Sequence, residues 1–295
     1  FTITPFIVDH SAYDSYAVLV ESDGKRVFYS GDLRGHGRTA WRFERLVAHP
    51  PPDVDELLME GTAITRPETA RGFPTEAELE EKLTAIFRRT RGLPLVWCSG
   101  MNIDFLVTAY KAARHAGRRF IVDMYAAHIL AATGNPRIPH ASPKWGNLDV
   151  FLPEFQKRRI KRLRAYDVSR PYKPFRIYRE HLAEAADKSV MLFRPSMQID
   201  VEAAKCLDGA RLVYSLWDGY LKDEKMKPFL AWLKERGIHM DTCHTSGHAS
   251  LRDLRRLRKA FGRTVVVPIH TDKPALFKDL FENVEMHDDN EWWDV

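Results

Sequence analysis

Histidines and acidic residues follow four short apolar runs of this sequence, each beside small residues. The four stretches are Asp9-His10-Ser11, Ser30-Gly31-Asp32, residues 244–249 (HTSGHA) and residues 268–271 (PIHT). Loops that follow strands are a usual place for the site of an α/β protein. Imidazole and carboxylate groups are ligands that zinc and manganese accept. One such histidine alone is typical of a structural hydrogen bond, so a metal site requires that the fold bring several together.

The spacing of these residues favours one shared site. His10 and Asp32 lie 22 residues apart and bracket a predicted hairpin. His248 and His270 are also 22 residues apart and bracket one predicted helix and one strand. Short units of this kind can bring their ends to one edge of a sheet. We therefore expect a composite site built from both terminal parts of the chain, with the middle as an insertion.

The elements that must position this site change in character along the chain. Residues 1–60 are predicted to be rich in strands, with Ser22-Asp23-Gly24-Lys25 as a hairpin turn. From about residue 92, strands and helices alternate, which is typical of a parallel sheet. The last part is predicted to hold a helix over 248–261 and a strand over 264–270. The expected fold class is α/β.

Composition excludes several classes of protein. The 295 residues carry a net charge of +5, a basic bias that is compatible with an anionic partner such as nucleic acid. The three cysteines form no CxxC pair, which excludes a disulfide scaffold and a cysteine-only zinc site. No apolar stretch reaches the roughly 18 residues of a membrane span, and no signal peptide is recognised. The expected location is the cytoplasm, with no membrane partner.

The motifs resemble those of the β-CASP nucleases in the metallo-β-lactamase superfamily, most closely ribonuclease J and its relatives. Five residues carry the resemblance: His10 in HSAYDS, Asp32 in SGD, Glu60 in LLMEGT, His248 in HTSGHAS and His270 in PIH. The resemblance implies a metallo-β-lactamase αββα fold, incomplete at its N-terminus, with an inserted β-CASP α/β domain that forms a lid. The implied division is 1–74 and 239–295 for the first domain and 75–238 for the insertion.

The resemblance also implies roles for these residues. Asp32 would bridge two zinc ions, with manganese as an alternative, while His10 binds the first ion and His270 the second. His248 would act as a general acid or a phosphate contact. Glu60 would orient His248. The protein would thus be an enzyme, a metal-dependent ribonuclease.

Further residues are expected to bind phosphate or RNA. Backbone N–H groups of Ser246 and Gly247, at the start of the helix predicted over 248–261, would hold a substrate phosphate. His244 is a further candidate for a phosphate contact, and Arg252 and Arg255 are candidates for contacts with the nucleic acid backbone. A histidine at the position of His270 is typical of the RNA-active members of the family. The implied substrate is therefore single-stranded RNA, cleaved by a 5′-exonuclease or endonuclease action. Relatives often form homodimers.

One family motif, His-x-His-x-Asp-His, is missing from these 295 residues. That motif supplies four metal ligands, and the three remaining ligands cannot close two metal positions. Because the chain opens in strand-like composition without Met, we expect a fragment that is inactive alone. Three alternatives remain: a DNA nuclease of the same fold, a non-catalytic partner subunit, and a hydrolase acting on a small molecule.

Overall fold

A computed structural model describes all 295 residues, and its strands form two separate sheets. The strands are β1 (Thr2–Ile7), β2 (Tyr16–Ser22), β3 (Lys25–Tyr29), β4 (Glu56–Glu60), β5 (Pro94–Cys98), β6 (Arg119–Asp123), β7 (Leu148–Phe151), β8 (Arg176–Ile177), β9 (Ser189–Leu192), β10 (Arg211–Ser215), β11 (His239–Thr242) and β12 (Val265–Ile269). The helices are α1 (Trp41–Ala48), α2 (Glu76–Arg89), α3 (Ile103–His115), α4 (Met124–Ala132), α5 (Glu154–Leu163), α6 (Tyr166–Ser169), α7 (Leu182–Ala185), α8 (Gln198–Ala203), α9 (Lys227–Glu235), α10 (Leu251–Ala260) and α11 (Leu276–Leu280). The chain therefore belongs to the α/β class.

The chain divides into two compact units. The first consists of Phe1–Glu76 together with Thr245–Val295, and the second of Ala77–His244. These bounds differ from the implied division by two residues at the first boundary and by six at the second, where β11 pairs in parallel with β10 inside the sheet of the second unit. The returning segment thus begins at Thr245, six residues later than expected. No helix of the chain is both long and apolar enough to cross a bilayer.

The first unit holds a five-stranded sheet in the order β1-β2-β3-β4-β12. Strands β1 to β3 are antiparallel, whereas β4 runs parallel to both β3 and β12. The turn between β2 and β3 lies where the sequence predicts it, with Ser22 opposite Lys25. Asp23 and Gly24 both have positive φ, the conformation that a two-residue hairpin loop of this kind requires.

The core of the first unit packs on this sheet. Phe28 and Leu57, from β3 and β4, are fully buried, as are Leu254 and Leu257 of α10. Leu254 and Leu257 are three residues apart and so lie on one face of α10. The arginines of α10 occupy the remaining positions, which keeps their charges out of the core.

The second unit holds a seven-stranded sheet in the order β11-β10-β5-β9-β6-β7-β8. Every pair in it is parallel. Its central strands are almost continuously apolar and buried, as β5 (PLVWC) and β9 (SVML) illustrate, because helices cover both faces of such a sheet. The predicted parallel sheet is confirmed.

Candidate metal centre

Three parallel strands deliver the candidate residues to one edge of the first sheet. Glu60 is the last residue of β4, His270 directly follows β12, and Asp32 comes three residues after β3. Because these strands are neighbours and parallel, their carboxyl ends meet at the same edge. Gly31 makes the turn before Asp32: its φ is +54°, and a Cβ there would lie 2.6 Å from the carbonyl oxygen of Tyr16. The glycine of the SGD stretch is therefore a steric requirement.

Asp32, His248 and His270 form a group in which one ligand atom from each lies within 4.8 Å of the others. His270 Nδ1 is 2.6 Å from Asp32 Oδ1, and the rings of His248 and His270 have centroids 5.4 Å apart. One carboxylate and two imidazoles are a donor set that suits zinc or manganese. Three protein ligands are the number that a catalytic zinc site uses, so the group fits one divalent ion.

Backbone geometry at His270 singles this residue out. Its φ is +48°, a left-handed conformation that is uncommon for a residue with a side chain. The Thr62 hydroxyl donates to the His270 carbonyl at 2.9 Å, which holds the strained turn. Such conformations persist where the surrounding structure enforces them, and they concentrate at functional sites.

A buried carboxylate orients His248. Glu60 is 1% exposed, and its Oε2 lies 3.0 Å from His248 Nδ1. Its other oxygen accepts hydrogen bonds from the backbone N–H groups of Leu33 at 2.9 Å and Ala249 at 3.4 Å. The carboxylate accepts a hydrogen bond from Nδ1–H, which leaves Nε2 as the ring nitrogen available to an ion or a substrate.

His10 lies beside the group but is not one of the three. Its Nδ1 is 2.5 Å from the carbonyl oxygen of Gly247, and its ring centroid is 5.2 Å from that of His248. Burial lowers the pKa of His10, and the neighbouring His248 lowers it further. The predicted ligand set was His10, Asp32 and His270, whereas the structure groups His248 with Asp32 and His270 and gives the Nδ1 atom of His10 a backbone partner.

The loop that carries His248 is fixed by hydrogen bonds to Ser246. The Ser246 carbonyl accepts from Arg34 Nη1 at 3.0 Å and from His36 Nε2 at 2.8 Å. Its hydroxyl oxygen accepts from the His248 backbone at 3.1 Å and from Arg66 Nη1 at 3.3 Å. Ser246 is 4% exposed. The Ser246 side chain therefore shapes the loop and is not presented to a substrate.

The predicted start of the helix that follows this loop is wrong. Helix α10 begins at Leu251 instead of 248, so the N–H groups of Ser246 and Gly247 are not part of its first turn. The N–H groups that are, on Leu251 and Arg252, donate to the Glu68 carboxylate at 2.8 and 3.1 Å. A carboxylate of the chain itself thus occupies the place that an anion takes at a helix N-terminus.

The remaining predicted phosphate contacts are dispersed. Arg252 and Arg255 are exposed on α10, and Arg252 Nη1 donates to the carbonyl of Arg71 at 2.6 Å. His244 is the last residue of the second unit, and the site residues all lie in the first. Within the first unit, the structure therefore brings together His10, Asp32, Glu60, Ser246, Gly247, His248 and His270.

A buried charge network behind the loop was missed by sequence reasoning. Arg34 is fully buried, and its Nε lies 3.7 Å from Asp9 and its Nη2 3.4 Å from Glu76. Asp9 also accepts from the backbone of Gly37 and the hydroxyl of Thr39, both at 2.8 Å. The sequence DLRGHGR alone gives no sign of this burial, because arginine is almost never fully buried unless it is paired.

No protein-family model matches the sequence, and no curated protein matches it. Among solved structures, a protein of unknown function from Enterococcus faecalis V583 has a similar fold, with a TM-score of 0.73 and 21% sequence identity. The match covers 98% of this chain and 63% of that protein. This chain therefore spans less than two thirds of the length of its neighbour, and at this identity the likeness concerns the fold alone.

Proposed function

We propose that this chain carries part of the active site of a metal-dependent phosphodiester hydrolase of the metallo-β-lactamase and β-CASP type, acting on single-stranded RNA. The observation that carries the proposal is the group of Asp32, His248 and His270 with the buried Glu60 behind it. An oriented imidazole beside two further ligand groups has no evident role in packing, because Asp32 and His270 are 34% and 56% exposed.

The donor set fits one divalent ion, held by Asp32 and His270 with His248 as the third ligand. A second ion needs ligands that this group does not supply. An ion bound here would polarise a phosphodiester and lower the pKa of a water molecule. Glu60 orients the His248 ring through Nδ1, so that Nε2 could alternatively donate a proton to the leaving oxygen.

The organisation of the chain supports the same family. A mixed sheet built from both terminal parts, interrupted by a parallel α/β unit, is the arrangement that the resemblance implies. The choice of RNA over DNA depends on His270 at its motif. The basic surface of α10, with Arg252 and Arg255 exposed, is compatible with a phosphate backbone.

The first test is zinc binding to the metal-stripped protein, measured by calorimetry and metal analysis. We expect about one zinc ion per chain, lost in Asp32→Asn and in His270→Ala. His239→Ala is the matched control, because this histidine is exposed and belongs to the second unit. Retention of zinc by His248→Ala would assign His248 to proton donation, and loss would make it a ligand. Equal zinc binding by the His270→Ala and His239→Ala variants would refute the metal site.

The second test is cleavage of matched single-stranded RNA and DNA with zinc or manganese, using the longest natural form of the protein. We expect RNA to be cleaved faster and His248→Ala to abolish cleavage. The small ligand set favours one other candidate, a non-catalytic partner subunit. Zinc binding without cleavage of either strand would support that candidate and refute the hydrolase.

A further inference from the structure

The second unit contains a cavity of about 520 Å³ at the carboxyl ends of β6 and β9. From β6 the chain continues to β7 on one side of the sheet order, whereas from β9 it continues to β10 on the other. Neighbouring parallel strands whose connections leave in opposite directions create a crevice, and ligands of open α/β sheets bind in such crevices. The position alone does not identify a ligand, but the lining does.

Asp123 organises the polar part of the lining. It is the last residue of β6 and 1% exposed, and its Oδ1 accepts from the Ala126 backbone at 2.8 Å. Its Oδ2 accepts from Gln156 Nε2 and from Arg194 Nε, both at 3.0 Å. A carboxylate can only accept, so it dictates which end of the Gln156 amide faces it. The Gln156 oxygen is therefore directed away from Asp123.

Two polar atoms of this lining have no hydrogen-bond partner within the protein. They are Oε1 of Gln156, a residue that is 7% exposed, and Nη2 of Arg194. Leaving a buried acceptor or donor unsatisfied is costly, and native proteins rarely do so without an ordered water or a ligand. Both atoms are themselves shielded from solvent. Asp123 therefore holds the two side chains as a rigid polar part of the cavity wall, while the Arg194 side chain as a whole is 23% exposed.

The rest of the wall combines aromatic and cationic groups. Tyr125 and Phe155 are 45% and 40% exposed, so part of each ring is accessible to a ligand. The Arg194 guanidinium lies over the Tyr125 ring, 5.6 Å from its centroid. His128 and Arg159 add further positive or protonatable groups. A ligand that matches this wall has a flat ring and a negative charge.

We propose that this cavity binds a nucleotide. The base would lie against Tyr125 and Phe155. The phosphate would be held by Arg159. This chemistry is the same for a free nucleoside monophosphate and for one nucleotide of a single strand. The proposal uses residues of the second unit alone and goes beyond the proposed hydrolase, on whose metal group it does not depend.

Calorimetry of the whole chain in EDTA tests the proposal while any metal site is empty. The probes are AMP, UMP, adenosine, inorganic phosphate and a short single-stranded RNA. We expect AMP or UMP to bind more tightly than adenosine or phosphate. Arg159→Ala should weaken that binding at least about tenfold, as expected for the loss of one charge-assisted hydrogen bond. The exposed Arg159 can be replaced without disturbing the buried Asp123 and Arg194.

Arg158→Ala is the matched control. It removes the same charge from the same helix, but Arg158 is 79% exposed, pairs with Glu154 and does not line the cavity. Binding weakened only in Arg159→Ala supports the site, and tighter binding of the RNA than of mononucleotides identifies the strand as the source. Equal weakening in both variants, or no preference for nucleotides over phosphate, overturns the proposal.

Discussion

Replacing Arg34 by methionine should destabilise the first unit severely. Its three guanidinium nitrogens have different partners, Asp9 at Nε, the Ser246 carbonyl at Nη1 and Glu76 at Nη2. None of the three charged side chains is more than 2% exposed. Methionine would fill a similar volume but remove the guanidinium that contacts both buried carboxylates and the Ser246 carbonyl.

The expected cost is about 3–5 kcal/mol, the range for breaking a buried ion pair from one side. This is a large part of the roughly 5–15 kcal/mol that stabilises a typical domain. Lysine should not rescue the variant, since one ammonium group cannot reach three partners in fixed directions. Arg256→Met is the matched control, because Arg256 pairs with Glu44 at the surface and such pairs contribute about 0.2–1 kcal/mol.

The assay is unfolding in urea, monitored by hydrogen exchange that is measured separately in peptides from β3 and from β5. Separate readings are needed because two units need not unfold in one step. We expect Arg34→Met to lower protection in β3 far more than Arg256→Met does. A loss no larger than that of the control would refute the reasoning, and would mean that Asp9 and Glu76 bind protons or admit water at little cost.

Three further predictions concern packing, titration and capping. In Gly247→Ala the new Cβ would lie 2.5 Å from Ser11 Oγ, so the loop that carries His248 should shift and zinc affinity should fall at least about tenfold. Adding Ser11→Gly should restore the affinity. Zinc affinity that calorimetry finds unchanged in Gly247→Ala would contradict this prediction. Burial raises the pKa of Cys206 from 9.0 to about 11, so the folded state holds this proton more tightly; the resulting stability is present below pH 9 and lost as pH rises towards 11. The stability difference between wild type and Cys206→Ala should therefore change by up to about 3 kcal/mol over that range. Urea unfolding at several pH values measures it, and a difference that stays constant with pH would exclude the effect. Asn102→Ala removes the cap that accepts from Phe105 N at 3.0 Å and should cost about 1 kcal/mol, measured by exchange in α3.

Local patterns predicted the parts of the fold that local forces determine. The hairpin at residues 22–25 follows from the turn preference of Asp23 and Gly24, and the apolar runs of β5 and β9 follow from burial on both faces of a parallel sheet. All three cysteines are buried and form no disulfide. The resemblance to β-CASP nucleases, with its metals and its substrate, stays a prediction.

The errors arose where a distant residue decides the local structure. Helix α10 starts at Leu251 because Ser250 caps it and Glu68, from a loop far earlier in the chain, accepts from its first N–H groups. No spacing rule connects Glu68 to that helix. Arg34 is similar, since its burial depends on carboxylates from two other segments. The strand order places Asp32 and His270 at one edge of the sheet, but His248 follows no strand of this sheet, and its position depends on the loop before α10.

The pairing of β4 with β12 has a consequence for synthesis on the ribosome. In the first sheet β4 lies between β3 and β12, and β12 is encoded about two hundred residues later, after the whole second unit. At translation rates of about 5–20 residues per second, one side of β4 stays unpaired for roughly 10–40 s. During that time the strand ELLME offers a free edge to other nascent chains, a known route to aggregation. Early folding of the second unit would shorten the span that separates β4 from β12 and so favour their correct pairing.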